Sequence, residues 1–491
     1  MSALPLTAGG MNAAASQARA PTPWTTRLWV GLALVFAAVA AAAAMDTMPL
    51  AARFALVVFA AAIVAWTIWR LPETPVALVA GLALIACGAS TPQQFYATLG
   101  DDLIWLLIGA FILAAVLSQS GVAQRLALRA AAGASSLQRL CYRLTWVIIA
   151  TAFVVPSTSG RAALLLPVFL ALAGAIGKPR AVRTLALLFP SVILLSACAS
   201  LLGAGAHLIA VDFIARIGAP KFGYLGWVWL GAPFAIISSL AATALILRLF
   251  LTAEERAGAV ALPPPPAAPL TRAQRNVLLI VAATVALWMT RTWHGIEPAL
   301  VALIGAVAAT ASSLTGVSMK HAIKQVEWNL VLFLAATLSM GEALVKTGAA
   351  QWIAAQALAA LPAAVTQHGW LLVTVATLIA LLSHLVITSR SARALVLIPT
   401  VALPLALGEI NPAALIFLTV VASGFCQTFA VSAKPVALFA QQEQPTYSDA
   451  DLLRLALWLL PVLAVLLLLF AFAVWPLQGL MLFDPLANVP L

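Results

Sequence analysis

Long stretches with almost no charge recur along this chain, and very few folds can accommodate them. Runs of spanning length lie at 29–45, 49–69, 74–90, 225–251, 276–290 and 451–477. A helix needs about 20 apolar residues to cross a hydrocarbon core about 30 Å thick. The runs are evenly apolar and do not alternate with period two, which predicts helices and excludes an outer-membrane barrel. Only 8% of the 491 residues are charged and 64% are hydrophobic, against about a quarter charged in a soluble domain. The prediction is an all-α polytopic membrane protein whose first partner is the lipid bilayer.

A net charge of +11 would suggest nucleic acid in a soluble protein. In a membrane protein it marks cytoplasmic loops facing anionic lipid, so no nucleic-acid partner is expected. One set of loops holds Arg70, then Arg125, Arg129 and Arg139, then Lys178, Arg180 and Arg183, then Arg248, Arg256, Arg272 and Arg275, then Lys320 and Lys324. The opposite set is poorer in Lys and Arg. This places the amino terminus in the cytoplasm and, after an odd number of spans, the carboxyl terminus outside a bacterial-type inner membrane. Residues 1–25 are polar and Ala-rich with Pro21 and Pro23. They lack the charged start and short apolar core of a signal peptide and are expected to form a disordered cytoplasmic tail. Cys87, Cys141, Cys198 and Cys426 form no CxxC pair, and packed, reduced thiols are expected. Tryptophans such as Trp227, Trp229 and Trp475 are expected to anchor the headgroup belt.

The segment 252–273, TAEERAGAVALPPPPAAPLTRA, cannot span. Its prolines make a stiff cytoplasmic linker between a first half, 26–251, and a second, 274–491. An internal repeat crosses it. PSTSGRAALLLPV at 156–168 aligns without gaps on TSRSARALVLIPT at 388–400, matching Ser157 with Ser389, Ser159 with Ser391, Arg161 with Arg393 and Pro167 with Pro399. LSQSGVAQ at 117–124 answers LVKTGAAQ at 344–351, and the small or polar interruption in 196–210 answers that in 421–439. An odd number of spans between the copies makes the repeat inverted. The expected fold is therefore an inverted repeat of about 11 transmembrane helices with two re-entrant hairpins, near 140–177 and 367–408. Broken helices follow near 183–217 and 411–440.

Non-helical backbone is tolerated at membrane depth only where it is buried or lines a wet cavity. Each hairpin tip then offers serine hydroxyls, free carbonyls and the positive end of a half-helix, groups suited to anions and small cations. Charges inside a bilayer cost at least about 2.5–3.5 kcal/mol on insertion scales and so have a partner or a task. Arg161 and Arg393 stand at equivalent positions, Arg390 adds a third guanidinium, and His207 and Lys434 sit at the other interruptions. With few acids nearby, these cations suit a ligand that brings negative charge, and the guanidinium fork suits a carboxylate or oxyanion. The substrate-site candidates are Ser157, Thr158, Ser159, Arg161, His207, Ser389, Arg390, Ser391 and Arg393. Gly160, Gly203, Gly205, Ser432 and Lys434 are candidates for an ion or substrate contact. Snorkelling or helix capping competes with this role for each arginine, packing for His207, and a plain helix end for Lys434. Glu342 and Lys346, spaced i,i+4, are expected to form a structural pair.

This pattern resembles the divalent anion:sodium symporter family within the ion transporter superfamily. The family's Ser-Asn-Thr tips correspond to Ser157-Thr158-Ser159 and Ser389-Arg390-Ser391, each followed by Leu166-Pro167 or Ile398-Pro399. Its Gly-Thr-Pro-Pro-Asn stretches correspond to Gly203-Ala204-Gly205-Ala206-His207 and Ser432-Ala433-Lys434-Pro435-Val436, and Trp475-Pro476 closes the last helix. The resemblance, over roughly 100–478, implies a homodimer whose transport domain holds both hairpins and moves as an elevator. It also implies a di- or tricarboxylate or sulfate substrate, bound between sodium sites at the tips. Both asparagines are replaced here, by Thr158 and Arg390, and an arginine follows each motif by two residues. Those guanidinium groups would repel sodium, so sodium coupling is in doubt, with exchange, uniport or proton coupling through His207 as the alternatives. No cofactor and no resident metal are expected. An anion channel and a membrane-embedded enzyme are the competing functions. The enzyme is disfavoured because the chain has no HExxH, Walker or Ser-His-Asp pattern.

Overall fold

The structure, a computed structural model, describes residues 24–45, 48–219, 222–260, 262, 268–359, 362, 366–406, 410–442 and 446–483. The predicted amino-terminal tail, the prolines of the linker and the carboxyl end fall largely outside these residues. All regular structure among the described residues is helical. Before the linker come α1 Trp24–Ala43, α2 Leu50–Thr67, α3 Glu73–Ala86, α4 Asp102–Gln119 and α5 Val122–Ala131. They are followed by α6 Leu137–Thr151, α7 Thr158–Ile176, α8 Pro179–Leu195, α9 Gly205–Arg216 and α10 Tyr224–Phe250. After the linker come α11 Arg272–Met289, α12 Pro298–Ala309, α13 Trp328–Lys346, α14 Ala349–Ala359 and α15 Gly369–Leu382. The last four are α16 Arg390–Leu397, α17 Pro412–Ala422, α18 Lys434–Ala440 and α19 Asp449–Leu469.

Eight helices among the described residues are long and apolar enough to cross a membrane, and α3, α12, α15 and α17 are shorter apolar helices. Side-chain caps start many of them. Ser136 Oγ accepts from Arg139 N before α6, Asn411 Oδ1 from Ala413 N and Ala414 N before α17, and Ser448 forms a capping box with Asp451 before α19. Such caps satisfy N–H groups that a helix leaves unpaired, which matters most where lipid offers no partner. Gly177, at φ 61°, ends α7 in the left-handed conformation that glycine adopts without a Cβ clash.

Two interlocking helix pairs organise one side of the protein: α3 packs along α13 and α4 along α12. The first pair is tied at its amino ends by Thr74 Oγ1 donating to Asn329 O at 2.8 Å. The second depends on close backbone approach, since a Cβ at Gly109 would lie 2.7 Å from Ala302 Cβ and 2.9 Å from its carbonyl carbon. On the other side α8 lies buried against α6, α7, α10 and α18. Of the three tryptophans expected in the headgroup belt, Trp229 is half-exposed, whereas Trp227 and Trp475 are corrected to interior residues. Trp227 and Trp475 are buried because each indole N–H finds a carbonyl inside, Cys198 O and Leu230 O, both at 3.1 Å. Glu342 and Lys346 form their ion pair, and Arg216 joins it at 3.6 Å while also holding Asp212 at 2.7 Å.

Two glycines separate packing from propensity. Gly109→Val is expected to destabilise the protein by about 1–3 kcal/mol through overpacking against α12. Gly174→Ala, where a Cβ meets nothing within 4 Å, is expected to be neutral or to stabilise by up to about 1 kcal/mol. Thermal melting of the detergent-solubilised protein reads both.

Candidate functional site

Each hairpin is two helices meeting at a serine. In the first, α6 ends at Thr151 and the chain turns to Ser157, whose hydroxyl accepts from Gly160 N at 3.1 Å and starts α7. In the second, α15 gives way to a single turn over Ser383–Leu385, and Ser389 accepts from Ala392 N at 3.2 Å to start α16. This N-cap geometry explains the Ser-x-Ser spacing: the first serine is used by the backbone, and the next two residues stand in an open first turn. The broken helices approach the same place. The chain leaves α8 through tight turns over Ser196–Gly203 and restarts as α9 at Gly205, while α17 stops at Ala422 and α18 starts at Lys434. Gly203 is fixed by packing, because a Cβ there would lie 1.9 Å from Ala197 O.

These four interruptions enclose a cavity of about 550 Å³. Its lining includes Ser157, Thr158, Ser159, Gly205, Ser389, Arg390, Ser391, Arg393 and Lys434, so the structure brings together most of the residues singled out by sequence. It does not include Gly160, Arg161, Gly203, His207 or Ser432. Gly160 lies just behind the first tip, and Ser432 Oγ accepts from Phe429 N at 3.1 Å to close a turn.

Arg161 stands outside the cavity lining, and its donors are used within the protein. Its guanidinium is fully buried and donates to Thr151 Oγ1 at 2.9 Å, Ile193 O at 2.8 Å, Ile148 O at 2.7 Å and Ser196 Oγ at 2.7 Å. It therefore staples the first arm of its hairpin to the end of α8. His207 also stands outside the cavity lining. Its ring is fully buried, lies 4.8 Å from Trp227, and sits between Ser200 O at 3.0 Å and Arg390 Nη2 at 3.1 Å. A guanidinium only donates, so Nε2 accepts and Nδ1 carries the proton to Ser200 O. That leaves a neutral histidine whose task is to aim Arg390.

Arg393 differs from its counterpart. It is fully buried and lines the cavity, yet only Nη2 has a partner, Cys426 Sγ at 2.8 Å. Nε and Nη1 have none, and Arg390 Nε is likewise unpartnered. Buried guanidinium donors without an acceptor in the protein are costly.

Two residues escaped the sequence reading. Glu73, the first residue of α3, accepts from Ser389 Oγ at 2.5 Å. Glu327, the residue before α13, lines the same cavity beside Ser157, with Oε1 3.4 Å from where a Cβ on Gly160 would be. A Glu at each of two helix starts is a common capping pattern, and no local signal connects either to a hairpin tip far away in sequence.

A family model described as citrate transporter matches this chain over residues 63–386 and again over 293–482. A "membrane protein" of Cupriavidus necator is 26% identical over 415 residues, covering 78% of this chain and 80% of that one. An uncharacterized transporter of Mycobacterium tuberculosis is 28% identical over 306 residues, 60% of this chain and 68% of its own. Among solved structures, the YdaH transporter of Alcanivorax borkumensis superposes with a TM-score of 0.54 at 16% identity, over 76% of this chain and 85% of that one. At that identity the likeness concerns the fold alone.

Arg161→Met should remove all four of these donations, leaving Ile148 O with the Thr151 hydroxyl as its side-chain donor. We expect a loss of at least about 3 kcal/mol in stability, since bonds to charged groups are worth about 1.5–3 kcal/mol each. Size-exclusion yield and uptake activity should fall together. Full expression with uptake alone lost would contradict the staple.

Proposed function

Because this chain belongs to the citrate transporter family, we propose that its cavity binds a small anion and that the chain carries it across the inner membrane as a secondary active transporter. A di- or tricarboxylate, sulfate or a similar oxyanion has the chemistry that Arg393, Arg390 and the tip hydroxyls would recognise. The observation that carries this reading is Arg393, a fully buried cation in the lining of the cavity with Nε and Nη1 unpartnered. An oxyanion in the cavity would satisfy both donors at once.

Movement by an elevator, in a homodimer, is the mechanism that fits the arrangement. Both tips and both broken helices line the cavity together with the starts of α3 and α13. The packing supports an inverted repeat, because contacts occur in exchangeable pairs: α3 with α13 and α4 with α12, α9 with α16 and α18 with α7, α6 with α8 and α15 with α17. On this reading the halves 26–251 and 274–491 are the repeating units, the amino terminus is cytoplasmic, and kinship with the divalent anion:sodium symporters lies at the superfamily level.

Sodium is dispensable in this scheme. The two carbonyls and two hydroxyls around Arg161 are the hard oxygen ligands that a sodium ion would otherwise gather, and the guanidinium already supplies the positive charge there. The neutral, internally bonded His207 gives no support to a proton relay through its ring.

Uptake into proteoliposomes tests both parts. Arg393→Gln is expected to cut citrate or sulfate uptake at least tenfold while the melting temperature stays near wild type, and unchanged uptake would overturn the site. Wild-type uptake should change less than twofold when choline replaces sodium. Strict sodium dependence would contradict the role given to Arg161.

A further inference from the structure

The cavity holds both signs of charge. Arg390, Arg393 and Lys434 line it with Glu73 and Glu327. Opposite charges lining one cavity normally pair, because their attraction is stronger there than in bulk water. Here they do not: among the described residues neither carboxylate comes within 4.0 Å of a lysine or arginine nitrogen. Each stands at the tip of a hairpin instead. Ser389 Oγ donates to Glu73 at 2.5 Å, and Glu327 lies beside the first tip, with Oε1 3.4 Å from where a Cβ on Gly160 would be. Lys434 attracts Glu327 only from a distance.

The separation is built in. Glu73 and Glu327 project from the starts of α3 and α13, which Thr74 and Asn329 lock together. Arg390 is held back by His207 and the Leu194 carbonyl, at 3.1 and 3.4 Å, and Arg393 by Cys426. Two guanidinium groups with unpartnered buried donors and two carboxylates therefore share one cavity without pairing. A ligand with only negative charge would satisfy the guanidinium groups and meet repulsion from the carboxylates.

We propose that the transported ligand is bipolar, an anion that also carries a cationic group, of which an amino dicarboxylate is the simplest form, with its carboxylate on Arg393 and its ammonium received by Glu73 and Glu327. This rests on the anion reading of the same cavity and adds the second pole. An ammonium offers three donors, enough to serve both carboxylates while the tip serines keep their own bonds. The two glutamates become specificity residues: they admit a ligand that brings its own counter-charge and penalise one that does not.

The test compares ligands differing by one amino group, succinate with aspartate and glutarate with glutamate, on the purified full-length protein. Binding is read by thermal shift and by competition with labelled uptake in proteoliposomes, with EDTA present so that no divalent cation supplies the missing charge. Aspartate or glutamate is expected to bind at least tenfold more tightly than its amine-free partner. Glu73→Gln with Glu327→Gln should bring that ratio close to one, mainly by admitting succinate and glutarate. Preference for the amine-free acid in the wild type, or no response to any of the four, overturns the bipolar ligand. If citrate uptake still requires Arg393 in that case, the anion reading stands alone. If Arg393→Gln changes nothing for any ligand, the anion reading itself has failed.

Discussion

Inside a membrane, backbone that stops being helical must find partners for its N–H and C=O groups within the protein, and this chain stops four times around one cavity. Ser157 and Ser389 cap the helices that leave the two tips. Arg161 donates to the carbonyls of Ile148 and Ile193, and Trp227 to that of Cys198. The four interruptions can lie together because these donors satisfy the freed backbone. Once together, they leave a polar cavity surrounded by apolar helices, and the remaining polar groups in it are available to a ligand.

Two arginines in equivalent sequence positions show how the same residue type serves both needs. Arg161 has a threonine, a serine and two carbonyls within reach and donates four hydrogen bonds to them. Arg393 has a thiol, and two of its nitrogens remain without an acceptor. One guanidinium is consumed by the fold and the other is left to the cavity. The difference lies in the neighbours, Thr151 and Ser196 against Cys426. It makes the two hairpins chemically unequal although their tips look alike.

Much of this was legible in the sequence because polar residues stand out against an apolar background. The Ser-x-Ser-x-Arg tips and the glycine and lysine interruptions were visible as departures from hydrophobicity, and most of them line the cavity. Which arginine faces the ligand was not legible, since that depends on acceptors brought from α6 and α8. The fate of His207 depended likewise on Ser200, Trp227 and Arg390. Glu73 and Glu327 were invisible for another reason: each is an ordinary residue at a helix start, and only the packing of α3 against α13 carries them to tips more than a hundred residues away in sequence.

The central claim is that the unpartnered donors of Arg393 wait for a carboxylate or oxyanion in this cavity. A cryo-electron microscopy map of the full-length protein saturated with a dicarboxylate tests it most directly. The account predicts ligand density between the two hairpin tips, with a carboxylate within hydrogen-bonding distance of Arg393 Nε and Nη1. Ligand density seated elsewhere, with those two nitrogens still without an acceptor, would contradict it.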